Sequence, residues 1–307
     1  MRYVTFTPRE RPQEARPGAL VGEEVIDLAG VEGLPETLLG LIEAGPAAWE
    51  VASRLVEGGG GRRLRREEVR LRAPLSRPPS LRDFYAFERH VKTAFANRGR
   101  EIPRQWYEFP VYYFSNPGSI VGPDDEVAPP PGSHALDYEL EIACVVGRSG
   151  RDLTADEAVE HIFGYTIMND WSARDLQQAE MRVGLGPAKG KDFATSLGPC
   201  LVTPDEMGEP AGRSGVYDLE MTARVNGAER SRGRLGELHY SFGEMIARAS
   251  AGADLFPGDV IGSGTVGSGS LLELTRGEGP WLAAGDVVEL EVERLGVLKN
   301  TVVSGQW

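Results

Sequence analysis

Residues 137–146 read DYELEIACVV, and the two halves of this stretch make opposed demands. The apolar run 142–146 has the length and composition of a buried strand. Glu139 and Glu141 stand at its mouth, two positions apart. Side chains at i and i+2 of a strand share a face, so both carboxylates are aimed the same way at the edge of a core. Their mutual repulsion costs free energy. Any fold for this chain has to bury 142–146 and still accommodate that pair.

The surrounding sequence is mostly strand-like: VYYF (111–114), LEIACVVG (140–147), GYTIMND (164–170), LEMTARVNG (219–227), VIGSG (260–264), SLLELT (270–275) and VVELEVERLG (287–296). Asn226–Gly227 carries the hairpin signal. Two helices are expected in this region. The first spans 154–164, opened by a capping box of Thr154 and Glu157, and the second spans 235–250. Near the N-terminus, short β-like runs precede a helical pattern over 34–57, which ends at four consecutive glycines. With 39 Gly, 21 Pro and 41% hydrophobic residues in 307, the chain supports a large core with many turns. The expected fold is α+β and β-rich, a mixed-sheet roll, with a small N-terminal module at 1–75 and a main domain at 76–307. RAPLSRPP (72–79) reads as the linker between them.

A formal charge of −13 argues against nucleic acid or an anionic membrane surface as a partner. The arginine-rich GGGGRRLRREE (58–68) is followed at once by acids and reads as a solvated linker. Cys144 and Cys200 are the only cysteines and form no CxxC pair, which fits two buried thiols in a reducing cytoplasm. No run of about 18 apolar residues is present.

Two familiar strings fail on context. GSGTVG (262–267) matches GxGxxG, but the strand-like SLLELT follows where a dinucleotide fold needs a helix. LGPAKGKD (185–192) ends like a phosphate loop, yet Asp192 stands where Ser or Thr belongs. The carboxylates fare better. Asp170 ends GYTIMND, and Asp83 lies in LRDF just past the linker. Acids converging from strand ends suit a hard divalent cation such as Mg²⁺ or Ca²⁺. On spacing alone, an ExE pair is more often a solvent-facing stripe.

RDFYAFERH (82–90), PVYY (110–113), DYELEIA (137–143), MNDWSARDLQ (168–177), GKDFATS (190–196) and GTVGSGSLLEL (264–274), taken in order, resemble the fumarylacetoacetate hydrolase family over roughly residues 80–305. The resemblance implies a metal site of Asp83, Glu139, Glu141 and Asp170, holding Mg²⁺, Ca²⁺ or Mn²⁺, so that a shared cation turns repulsion into attraction. It implies that His90 activates water with Glu273 as its partner, and that Lys191 lies near the metal. Tyr85, Tyr113, Arg174, Gln177 and Thr265 match substrate-contacting positions. Taken singly, Glu273 would be an outward strand residue and Lys191 or Arg174 a surface charge, while His134, His161 and His239 read as structural or exposed.

The sequence also departs from relatives. Thr93 occupies the place of the glutamate in the His-x-x-Glu pair of acylpyruvate-cleaving and oxaloacetate-decarboxylating members. Met181 replaces a substrate-contacting tyrosine of the true fumarylacetoacetate hydrolases, and the glycine-rich loop before Glu273 is shorter. The expected activity is metal-dependent hydrolysis of a carbon–carbon bond in a 1,3-diketo acid, in the setting of aromatic compound catabolism. The alternative on the same scaffold is hydration, isomerisation or decarboxylation of a 2-oxo acid. A non-catalytic metal-binding protein would have no use for a water-activating dyad. The expected partners are a small diketo or 2-oxo acid and a second copy of the chain, as a homodimer.

Overall fold

The computed structural model describes residues 1–97, 99–211 and 215–305. Among these residues, twelve strands form one mixed sheet and five form a second. At the centre of the larger sheet, Leu140–Val146 pairs antiparallel with Ile162–Asp170, with Glu141 opposite Met168. Every residue of both strands is buried, so neither shows the polar alternation of a half-exposed strand. Val260–Gly262 flanks Leu140–Val146, and Leu81–Phe84 runs parallel beside it. On the other side, Thr195–Val202 joins Ile162–Asp170 to Arg2–Pro8, and through it to the remaining N-terminal strands. The fold is α+β.

The two faces of the central strand feed two cores. Ile142, Cys144 and Val146 pack into one, which also takes in the inner face of the smaller sheet. Ala143 and Val145 pack into the other, with Met168, Leu81 and the N-terminal helical residues Leu38, Leu41 and Ala52. Counting in twos places Glu139 and Glu141 on the face of Ala143, Asp170 on that of Met168, and Asp83 on that of Leu81. All four acids therefore continue one face of one sheet past the end of its apolar packing.

Several expected elements differ. SLLELT is not a strand: Leu271–Leu274 is one helical turn, capped by the Ser270 side chain, which accepts from Glu273 N–H. The 154–164 helix stops at Val159, and Ile162 already belongs to the central strand. Gly164 meets the Val202 carbonyl, which leaves no room for a side chain there. The 34–57 pattern is two helices, Leu38–Glu43 and Pro46–Glu57, because Gly45 at φ 77° and Pro46 at the first helical position restart the chain. The 235–250 pattern yields a 3-10 turn over Leu235–Glu237 and an α-helix only over Phe242–Ser250, opened by its own Ser241–Glu244 capping box. The arginine-rich 58–68 stretch is not a linker throughout: Arg62–Arg65 is the charged edge strand of the large sheet. The Asn226–Gly227 hairpin forms, with both residues at positive φ.

Ile142 is wholly buried on the strand that aims the acids. Ile142→Ala is expected to lower unfolding stability by about 2–5 kcal/mol in urea denaturation. A loss well under 1 kcal/mol would show that this core closes over the deletion.

Candidate active site and metal centre

Asp83, Glu139, Glu141 and Asp170 converge. Each is buried, and each offers an oxygen within 4.8 Å of those of the other three. The convergence follows from register. Gly262 separates Asp83 from Ala143 across the sheet, being the Cα partner of both. A Cβ at Gly262 would stand 2.6 Å from Asp83 Oδ1, so a side chain there would displace the carboxylate. Gly264, at φ 77°, donates its N–H to Asp83 Oδ1 at 3.2 Å. The glycines of GSGTVG thus clear space for an acid and orient it. Thr265 Oγ1 donates to Glu141 Oε1 at 3.2 Å.

Lys191 reaches into the quartet, with Nζ 2.5 Å from both Glu139 Oε2 and Asp170 Oδ2. Arg174 Nη2 lies 2.8 Å from Glu139 Oε1 and 2.8 Å from Asp137 Oδ2. Tyr113 donates its hydroxyl proton to Asp170 Oδ2. Burial alone would raise Glu139, but the charges of Lys191, Arg174 and His90 overcome it and hold this carboxyl well below its ordinary value. The others move upward. Burial, with the nearby Asp83, Glu139 and Asp170, pushes Glu141 far up. Burial and Asp170 raise Asp83 to about 8. Burial raises Asp170 too, against the opposing pull of Lys191.

This donor set fits a hard divalent cation. The ligands are all oxygens, and Glu141 Oε2 and Asp170 Oδ1 are buried with no hydrogen-bond partner among the described residues.

His90 lies in the helix Glu88–Ala96, buried, with Nδ1 2.8 Å from Glu273 Oε2. The contact is an ion-pair distance outside the angular range of a hydrogen bond. Glu273 is held in turn by Ser268 N–H at 3.1 Å and by the Ser270 hydroxyl at 3.3 Å. The Tyr85 ring meets His90 edge-on at 5.2 Å. Arg174 and Gln177, joined by a 3.1 Å hydrogen bond, line a cleft of about 790 Å³ that also takes in Met181, Leu272 and Trp281. The residues proposed from the sequence therefore lie in the quartet, the dyad or their direct contacts, except Gln177, which is joined to the site through Arg174.

Two residues escaped the sequence reading. Asp137, fully buried, binds Arg174 and the first turn of the Glu273 helix. Glu180 accepts from the N–H groups of Ala188, Lys189 and Gly190, and so fixes the loop that presents Lys191. The Ser270–Glu273 helix had a visible signal, the same S/T-x-x-E spacing that marked Thr154. Glu180 had none, because its contacts join parts of the chain that no local pattern connects.

With this geometry in place, the sequence profile of the fumarylacetoacetate (FAA) hydrolase C-terminal family matches residues 80–303. The chain belongs to the fumarylacetoacetate hydrolase family. It is 34% identical over 273 residues to the human protein oxaloacetate tautomerase FAHD2A, mitochondrial, a match covering 88% of this chain and 81% of that one. The structure of fumarylacetoacetate hydrolase from Exiguobacterium antarcticum is 30% identical, with a TM-score of 0.77 over 99% of this chain and 100% of that chain. That of 5-carboxymethyl-2-hydroxymuconate delta-isomerase from Mycobacterium smegmatis is 27% identical, with a TM-score of 0.71 over 99% of this chain and 100% of that chain. The fumarylacetoacetate hydrolase fold thus carries hydrolase, isomerase and tautomerase names among these relatives. Among the described residues, no helix is long and apolar enough to cross a membrane.

The raised carboxyls set the sign of a pH effect in the metal-free family member. Asp83 moves from 3.8 to about 8, so between those values the folded state binds more protons than the unfolded state. Stability therefore falls as pH rises through that window. Glu139 acts oppositely, but its window lies below its ordinary value. The metal-free thermal midpoint is expected to drop between about pH 4 and about pH 8. Saturating Mg²⁺ is expected to offset that drop by favouring the ionised acids, and Glu141→Ala to abolish the Mg²⁺ gain. A metal-free midpoint that rises over this window, or a Glu141→Ala protein still stabilised by Mg²⁺, would contradict the assignment.

Proposed function

We propose that this chain is a divalent-metal-dependent hydrolase that cleaves a carbon–carbon bond in a 1,3-diketo acid of the fumarylacetoacetate or acylpyruvate kind. The observation that carries this reading is the buried His90–Glu273 pair at 2.8 Å, beside four converging acids. Asp83, Glu139, Glu141 and Asp170 would hold Mg²⁺, or Ca²⁺ or Mn²⁺ in its place. A bound divalent cation supplies Lewis-acid polarisation of substrate oxygens.

Glu273 faces Nδ1 of His90, which favours the tautomer with its proton there and leaves Nε2 to act as base. Nε2 takes a proton from water, and the hydroxide adds to the acyl carbonyl carbon. The bond from that carbon to its neighbour then breaks. Its electron pair passes into the other fragment, which receives the proton back from His90, while the acyl fragment leaves as a carboxylic acid. Lys191 and Gln177 would stabilise the oxyanion formed on attack, and Arg174 would bind or orient the substrate carboxylate. Tyr85, Tyr113 and Thr265 would complete the pocket. We take the working form to be a cytoplasmic homodimer.

A second reading is favoured by the 34% identity to a protein named oxaloacetate tautomerase. In that reading, the same site moves a proton on a 2-oxo acid without adding water. The two differ in their need for a water-activating pair, whose general-base help is worth about 10²–10⁴ in rate. Glu273→Gln is expected to depress acylpyruvate hydrolysis by about that factor. It should leave oxaloacetate decarboxylation or tautomerisation within a few-fold, all followed by enol absorbance. Wild-type protein that interconverts oxaloacetate tautomers but hydrolyses no diketo acid would replace the first reading with the second.

A further inference from the structure

We infer that Asp137 is a positioning residue that sets Glu273 against His90, an inference resting on the dyad reading above. Its carboxylate is completely buried and fully engaged. Oδ1 accepts from Leu271 N–H at 2.8 Å. Oδ2 accepts from Leu272 N–H at 3.0 Å and from Arg174 Nε at 2.9 Å.

The two backbone donors belong to the first turn of Leu271–Leu274. A helix of four residues has no stability of its own, because nucleation costs more than a single turn returns. Its place is set by what grips it: Asp137 and the Ser270 cap at its start, the Ser268 N–H on Glu273, and the core around Leu271. Glu273 is the third residue of that turn, so any shift of the turn moves Glu273 relative to His90. Their separation of 2.8 Å leaves little room for such a shift.

The other half of the grip points toward the metal quartet. Arg174 spans Asp137 and Glu139, at 2.8 Å from each. Asp137 therefore touches both the turn that carries the base's partner and the cation that neutralises a quartet acid. Glu139 and Glu141 are aimed by the strand, and Asp137 ties the dyad to that same strand end.

An amide at this position keeps the shape but turns one acceptor into a donor. That donor would face an N–H of Leu271 or Leu272, or the Arg174 guanidinium, and the turn must move away from it. Asp137→Asn is expected to lower kcat for diketo acid hydrolysis by about 10²-fold, the scale of an ångström-sized misplacement at a reacting centre. KM and the Mg²⁺ affinity measured by calorimetry should change less than about threefold. The decisive measurement is the double variant. If Asp137 acts through Glu273, Asp137→Asn should have little further effect on kcat in a Glu273→Gln background, because the two losses are one loss.

Multiplying losses in the double variant, or a single variant with wild-type kcat, would overturn the inference. Should Asp137→Asn not fold, Asp137→Glu keeps the charge, displaces it by one methylene and carries the same cycle. Failure of both to fold would overturn positioning in favour of a purely structural role. If Glu273→Gln alone kept full hydrolysis, the dyad reading would fall and this inference with it. A strong Glu273→Gln effect combined with multiplying losses would remove this inference alone.

Discussion

The site depends on the cost of confining negative charge. Four carboxylates lie within 4.8 Å of one another in a buried pocket, where their repulsion is poorly screened. Two cations of the chain, Lys191 and Arg174, meet this cost in part, and the same crowding pushes the Glu141 carboxyl upward. What remains is an affinity for a divalent ion. A pocket that Lys191 and Arg174 neutralised completely would have little reason to bind one. The balance is set by count: two fixed positive charges beside four acids leave a net demand for positive charge.

The same constraint explains how the surrounding backbone is built. The acids are aimed by nearby strands of one sheet, whose spacing and two-residue period bring side chains from different strands together, across Gly262 in the case of Asp83. Rigid strands hold them despite the repulsion. Glycine supplies the clearance, at Gly262 beside Asp83 and at Gly264, where the chain turns at positive φ against the Phe84 carbonyl. The dyad is built differently. His90 comes from one short helix and Glu273 from a single helical turn, so its geometry rests on caps and on Asp137.

Much of this was legible before any coordinates. The run 142–146 announced a buried strand, and the ExE before it, with Asp83 and Asp170 already noted beside other strands, announced the quartet once the family resemblance joined them. The capping box at Thr154 and the Asn226–Gly227 turn were read correctly because each depends on neighbours three residues away or fewer. One error shows the reach of distant contacts. In SLLELT, alternating leucines have the period of a strand, but Asp137, over 130 residues away in sequence, supplies acceptors to a helical turn. Thr195–Val202 went unread because Gly198–Pro199 looks like a break. In the sheet, that strand still pairs with Ile162–Asp170, with a register shift near the same point.

The sequence by itself determined the residue types and their local spacing: acids two apart on a strand, an imidazole seven residues beyond Asp83, and a charge balance that disfavours polyanionic partners. Those features follow from covalent order and short-range propensity, and they point to a family and a class of chemistry. Tertiary structure alone decided which charges meet. It placed Lys191 between Glu139 and Asp170, turned Arg174 inward onto two acids, and set Glu273 on a helical turn instead of a strand. The physical reason is that hydrogen bonds and ion pairs between distant residues form only once strand register is fixed. Register, in turn, is set by which apolar faces find a common core.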